Sequence, residues 1–354
     1  MKEKNGKENN KRENNKKENN KKENSETPKQ SNRLLSLTDY MLGVIEELKA
    51  EERFGTAHVY QYALRAFTEF VGGGEIFFGG LTRRSLKLFE RHLRARLCSW
   101  NTVSTYVRSL RAVYNRAVDG ELVPGEFRLF SGVFTGVKSE QKRALEAEQV
   151  HSLLEADLSG EENLPAVVGE SRDLFSLMVH LQGMPFVDLL HLHRDDIHTD
   201  VSGHTILECR RQKTGTGLTV TVTAEAMKLI NRYRSTEASS PYLLRFFDGL
   251  VSGESIYREY CRRLRILNYG LSLLPDYCGL EGVKVSSYTA RHTWATLAKY
   301  CQVPEEIISE GLGHSSLEVT RTYLKSFEGG ELEKVNRIII DYIHTGRRTL
   351  WNRA

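Results

Sequence analysis

From Leu37 onward, apolar residues recur at helical spacing. Leu37, Tyr40, Met41, Val44, Ile45 and Leu48 predict a first helix, and Tyr60, Tyr62, Ala63, Ala66, Phe67 and Phe70 a second, with Gly55 and Thr56 between them. Leu86, Leu88, Phe89 and Leu93 predict a third helix over 82–97. Asn101 and Thr102 read as the cap of a fourth over 103–118. Four short helices with brief connections predict a compact bundle over 36–119. Residues 120–145 mix Gly, Pro and short apolar pieces and end in Lys138, Lys142 and Arg143. They read as a linker, either a charged crossing segment or an ordinary polar one.

A second and larger domain is expected over 146–345, with a short tail over 346–354. Its pattern predicts helices over 147–158 and from Leu174 through Leu181, continuing through Val187 to Leu192. The period then shortens. Residues 205–209 and 218–222 read as strands, joined by Arg210, Arg211, Gln212, Lys213, Thr214, Gly215 and Thr216 in a hairpin. Helical spacing resumes over 224–234, 255–267, 289–300, 304–311 and 317–323. A last apolar stripe, Leu332, Val335, Ile338, Ile339, Tyr342 and Ile343, docks either on its own domain or on a neighbouring copy. The fold class expected is mainly α with a small antiparallel β-sheet.

Charge changes this picture only at the N-terminus. Residues 1–32 repeat the unit ENNKR/ENNKK and carry ten Lys or Arg against six Glu, so they hold the whole formal charge of +4 and leave the body neutral. With no aromatic or β-branched residue before Thr27, nothing there repays ordering, and disorder is expected. The tail reads as a loose basic arm or as a solvated extension whose glutamates dilute its field. Five scattered cysteines form no CxxC pair, which predicts neither a zinc site nor a disulfide framework. With a polar N-terminus and no long apolar run, a cytoplasmic protein is expected.

Candidate chemistry gathers near the C-terminus. Arg291 and His292 open one helical segment, a Leu312-Gly313-His314 turn follows, and Tyr323 stands nine residues after His314. Cationic donors and a phenolic hydroxyl suit attack on a phosphodiester. Lys213 projects from the hairpin tip. The predicted fourth helix carries Tyr106, Arg108 and Arg111; the two arginines, three apart, share a face, and Asn101 and Thr102 lie at its start, an arrangement that suits phosphate contacts. Each of these also has an ordinary reading, as a wet helix face, a turn histidine or a half-buried tyrosine.

Taken together and in order, they resemble the tyrosine recombinase (phage integrase) family. SYTARHTWAT (287–296) and LGHSSLEVTRTYL (312–324) carry the strongest likeness, and NTVSTYVRSLRAVYNRAV (101–118) is similar to the family's core-binding domain. The resemblance implies a helical core-binding domain that clamps double-stranded DNA, followed by a catalytic domain. It also implies a homo-multimer, a tetramer, on that DNA, with neither metal nor nucleotide nor other cofactor. Tyr323 would be the nucleophile and form a 3′-phosphotyrosyl link. Arg291 and His314 would hold the phosphate, and Lys213 would protonate the departing 5′-oxygen. His292 would pack behind the site, and Asp188 matches the family's acidic residue.

Two positions depart from the family pattern. The first catalytic arginine would fall at Pro185 or, in a variant, at Gln182, and neither is arginine. Its loss costs about 3–4 kcal/mol of transition-state stabilisation if uncompensated. Gln182 can donate without charge, and Arg172 or Arg194 are further candidates to reach in. The family's histidine three residues before Arg291 is Tyr288, which can still donate. The expectation is a site-specific recombinase working by integration, excision or inversion. A DNA-binding homologue with impaired cleavage and a type IB topoisomerase are the alternatives.

Overall fold

The computed structural model describes residues 35–138, 144–160, 164–314 and 316–324. The N-terminal repeats, Lys142, Arg143 and the stripe from Leu332 to Ile343 lie outside the described residues. The chain divides after Lys138 into two compact units.

Among the described residues, the helices of the first unit are α1 (Leu37–Ala50), α2 (Phe54–Phe70), α3 (Arg83–Ala95) and α4 (Trp100–Asp119). Ser36 caps α1, its hydroxyl accepting from Asp39 N at 3.1 Å. Helices α1 and α4 both pack with α2, and α3 packs on α4. Phe67, Phe78 and Phe89 are fully buried, with Phe67 and Phe89 edge-to-face at 5.0 Å. Removing each such ring from water is worth about 2–3 kcal/mol. Tyr62 and Leu88, expected on apolar faces, are instead 45% and 43% exposed. Helix α4 starts earlier than its sequence suggested. Ser99 is the cap, accepting from Thr102 N at 3.1 Å, and Asn101 lies inside the first turn.

The second unit is mainly helical with one small antiparallel sheet, the fold class that the sequence predicted. It comprises α5 (Ala147–Glu155), α6 (Ala166–His180), α7 (Phe186–Leu190), β1 (Ile197–Thr199), β2 (Thr205–Arg210), β3 (Gly217–Thr221), α8 (Ala224–Tyr233), α9 (Gly253–Tyr277), α10 (Ser287–Tyr300), α11 (Glu305–Leu312) and α12 (Leu317–Arg321). The sheet order is β1-β2-β3, with Cys209 opposite Leu218 and Arg210 opposite Gly217. β1 is three residues long, too short for a visible alternation, so the sequence predicted two strands where the described residues form three.

Helix α9 runs ten residues past its predicted end at Leu267 and contains Pro275. It crosses α6 closely at Gly270, where a Cβ would stand 2.2 Å from Ser171 Oγ. The expected continuation from Leu181 to Leu192 is broken. Gln182 (φ +58°) and Gly183 (φ +67°) adopt the left-handed region, and Pro185 caps α7. That break makes room for the residues described next.

Candidate active site

Helix α10 supplies three neighbouring functional groups from one face: Tyr288, Arg291 and His292, at i, i+3 and i+4. Ser286 and Thr289 form a reciprocal capping box that fixes its start, with Ser286 N donating to Thr289 Oγ1 at 3.0 Å. Arg291 is 2% exposed. Its Nη1 donates to Gly183 O at 3.2 Å, and its Nη2 to Leu312 O at 2.5 Å and to His314 Nε2 at 2.8 Å. A Cβ at Gly183 would lie 2.8 Å from Arg291 Cα, so only glycine fits both that approach and the left-handed backbone.

Leu312 O belongs to the last turn of α11, where a helix leaves its carbonyls unpaired and its dipole is negative. Gly313 (φ +63°) then turns the chain and delivers His314 to the pocket. The His314 ring accepts from Arg291 at Nε2 and therefore carries its proton on Nδ1, which donates to Thr320 Oγ1 at 2.9 Å. Burial, and then Arg291 and Arg211, push its pKa down to about 4, so the imidazole is neutral at pH 7.

Tyr323 follows α12 directly. Its hydroxyl lies 2.8 Å from that of Tyr288. Its ring stacks on His314 at 5.0 Å, tilts against His292 at 4.7 Å, and lies under the Arg291 guanidinium at 5.4 Å. The backbone carbonyl is held by Thr296 Oγ1 at 3.4 Å and lies 3.3 Å from His292 Nδ1. Partial burial, and then the bond with Tyr323, push the Tyr288 phenol up to about 12.

A second cation stands at the same carbonyl. Arg211 donates from Nη1 to Leu312 O at 2.5 Å and from Nε to Asp188 Oδ2 at 2.6 Å. Asp188, 3% exposed on α7, also accepts from Gln212 N at 2.8 Å. Arg211, Arg291 and His314 thus converge on the C-terminus of α11. The pocket is a cationic cradle beside a phenol, suited to an anionic group under nucleophilic attack.

Sequence comparison is consistent with this geometry. Residues 143–329 match the phage integrase family profile, and residues 36–127 match that of the phage integrase SAM-like domain. The chain belongs to the phage integrase family. These tyrosine recombinases are DNA strand-transferring enzymes. The tyrosine recombinase XerA of Pyrococcus furiosus is 25% identical over 289 residues, covering 79% of this chain and 86% of that protein. Three solved structures share the fold. A lambda integrase dimer bound to a COC′ core site has a TM-score of 0.56 at 14% identity, covering 83% of this chain and 97% of that one. XerH bound to a palindromic difH substrate, a post-cleavage complex, has a TM-score of 0.56 at 18% identity and 80% coverage of each chain. The Tn1549 transposon integrase with circular intermediate DNA has a TM-score of 0.56 at 14% identity, covering 86% of this chain and 99% of that one.

Not every residue expected from the phage integrase pattern reaches the pocket. Tyr323, Arg291, His314, His292 and Tyr288 come together, and Asp188 adjoins them through Arg211. Lys213 is exposed on the hairpin tip, and among the described residues its amine makes no hydrogen bond. Gln182 turns its Oε1 toward Gly311 and Trp294, buried and without a partner among the described residues. It therefore makes no bond with Arg291 there. Arg172 and Arg194 are occupied elsewhere, on Ala156 O at 2.7 Å and on Ser235 Oγ at 3.1 Å. In the first unit, Arg108 and Arg111 are exposed, and Tyr106 and Thr102 are half-buried. Asn101 is paired with the Lys138 backbone in both directions, at 2.9 Å each.

Arg211 was missed although the sequence contained a sign of it. Along β2, Leu207 and Cys209 point inward, and strand alternation carries Arg211 to that same face while Arg210 goes outward. Among the described residues, no group of three or more His, Cys, Asp or Glu is arranged to hold a metal, and no helix is long and apolar enough to cross a membrane.

Proposed function

We propose that this protein is a site-specific recombinase that cuts and rejoins duplex DNA through Tyr323. The observation that carries the reading is the convergence of the Tyr323 hydroxyl, Arg291 and His314 in one pocket. The Tyr323 oxygen attacks the scissile phosphorus, and its proton passes through the Tyr288 hydroxyl toward solvent. The bond to the 5′-oxygen breaks, and that oxygen takes a proton from Lys213 once the hairpin closes on DNA. The product is a 3′-phosphotyrosine and a free 5′-hydroxyl. Attack by a 5′-hydroxyl reverses the step and returns the tyrosine.

Arg291 and His314 steady the phosphate oxygens. For this, His314 changes tautomer: Nε2 becomes the donor to phosphate, and Nδ1 accepts from the Thr320 hydroxyl, which can serve in either sense. Double-stranded DNA is the substrate, and a tetramer on that DNA is the working assembly. The DNA-bound forms of lambda integrase, XerH and the Tn1549 integrase support the substrate class. Exposed Arg108 and Arg111 on α4 contact its phosphates.

The test is capture of a covalent adduct from a pool of nicked duplexes of randomised sequence. An SDS-resistant protein–DNA complex is expected from the wild type and none from Tyr323→Phe. An adduct that survives Tyr323→Phe would reject the nucleophile. The lack of arginine at Gln182 and Pro185 favours a second reading, a DNA-binding homologue without cleavage; sequence-selective binding with no adduct is its signature. Relaxation of plasmids lacking any selected site would instead indicate a topoisomerase.

A further inference from the structure

The missing arginine leaves the phosphate one cation short, and the fold supplies one from another element. Arg211 stands at the end of β2, outside the segment around Gln182 and Pro185. Its side chain is 11% exposed and is fixed at two nitrogens, Nε on Asp188 and Nη1 on Leu312 O. Among the described residues its Nη2 has no protein partner. Arg291 uses the same Leu312 oxygen and also holds His314. Two guanidinium groups that share one acceptor are therefore held side by side, next to the nucleophile.

The charge balance of this cluster points to an anion. Arg211 and Arg291 bring two positive charges, and Asp188 is the one carboxylate bonded to either among the described residues. Burial first, and then the neighbouring Arg211, push the Arg291 guanidinium down to about 10, so both desolvation and like charge oppose it. A phosphodiester entering the pocket offsets the like charge.

We propose that Arg211 is a catalytic residue that donates from Nη2 to a non-bridging oxygen of the scissile phosphate, in place of the absent arginine, and that Asp188 is the positioning residue that aims it. This rests on the recombinase reading. Asp188 holds both Arg211 Nε and the following backbone N–H of Gln212, so it fixes the guanidinium and the root of the hairpin at once. A lysine could not replace Arg211 there, because a single ammonium cannot span Asp188, Leu312 O and a phosphate in one plane.

The experiment uses the full chain and a nicked duplex selected from the pool, with the scissile group made either as a phosphodiester or as a methylphosphonate. The methylphosphonate replaces one charged oxygen with methyl, so a cation that neutralises that oxygen becomes dispensable. Arg211→Ala is expected to form adduct about 100-fold or more slowly on the phosphodiester and within about 10-fold of wild type on the methylphosphonate. Asp188→Asn is expected to show the same selective loss. The double variant Arg211→Gln/Asp188→Asn leaves no unpaired buried carboxylate and is expected to fold and behave alike. Wild-type rates on the phosphodiester in the Arg211 variants would overturn the proposal. So would equal losses on both substrates in a folded variant, which would make Arg211 a strut for α11 only. A wild-type chain that forms no adduct would overturn the recombinase reading itself.

Discussion

The hydroxyl groups of Tyr288 and Tyr323 lie 2.8 Å apart, so the residue at the family's histidine position touches the proposed nucleophile directly. A phenol pushed up to about 12 keeps its proton at neutral pH, so the Tyr288 hydroxyl is present to donate to the Tyr323 oxygen and to hand its own proton on as it takes another. On the proposed mechanism Tyr288 serves as donor and relay. Tyr288→Phe removes that bond to a developing anion, worth about 1.5–3 kcal/mol. Single-turnover adduct formation should slow by about 10- to 100-fold, with DNA binding unchanged. An unaltered rate would remove Tyr288 from the reaction.

Lys213 is exposed at the hairpin tip, and its proposed role has the hairpin close on DNA. Its assignment as general acid has a chemical test. A substrate whose 5′-bridging oxygen is replaced by sulfur has a leaving group that needs no proton. Lys213→Ala should cut the oxygen substrate about 100-fold or more slowly and the sulfur substrate at the wild-type rate. Equal slowing on both would assign Lys213 to binding instead.

Gly183 and Gly169 make an internally controlled pair. Alanine at Gly183 meets Arg291 Cα and a positive φ, so Gly183→Ala should destabilise the chain by about 1–3 kcal/mol and reduce cleavage through the displaced Arg291. Alanine at Gly169, inside α6 with nothing within 4 Å, should stabilise by about 0.5–1 kcal/mol. Urea midpoints of the two variants against the wild type check both signs.

His314 couples the pocket to pH. Its folded pKa of about 4 lies below the ordinary value near 6.5. Between those values the unfolded chain binds a proton that the folded chain refuses, so stability is full above about 6.5 and declines as pH falls toward 4. His191, pushed down by burial, acts in the same direction. Urea unfolding from pH 7 to 4 should show a steeper loss for the wild type than for His314→Gln. Parallel curves would contradict the depressed value.

Local pattern carried most of the architecture. Apolar spacing predicted the helices because each buries one face, and Lys213's hairpin was legible because strand alternation brackets a glycine-containing tip. Three features were hidden. The start of α4 belongs to Ser99, since the cap depends on which hydroxyl reaches a free N–H. The break at Gln182 and Gly183 depends on the close approach of α10, a contact more than a hundred residues away in sequence. Arg211 escaped notice for the same reason: the oxygen it shares with Arg291 comes from α11, and only the folded chain brings those elements together.

The backbone of Tyr323 rests on Thr296 and against His292 of its own helix α10. Each chain therefore seats the proposed nucleophile beside its own Arg291 and His314. On the proposed mechanism, mixing Tyr323→Phe chains with Arg291→Ala chains is expected to give no adduct, because each working centre draws Tyr323 and Arg291 from the same chain.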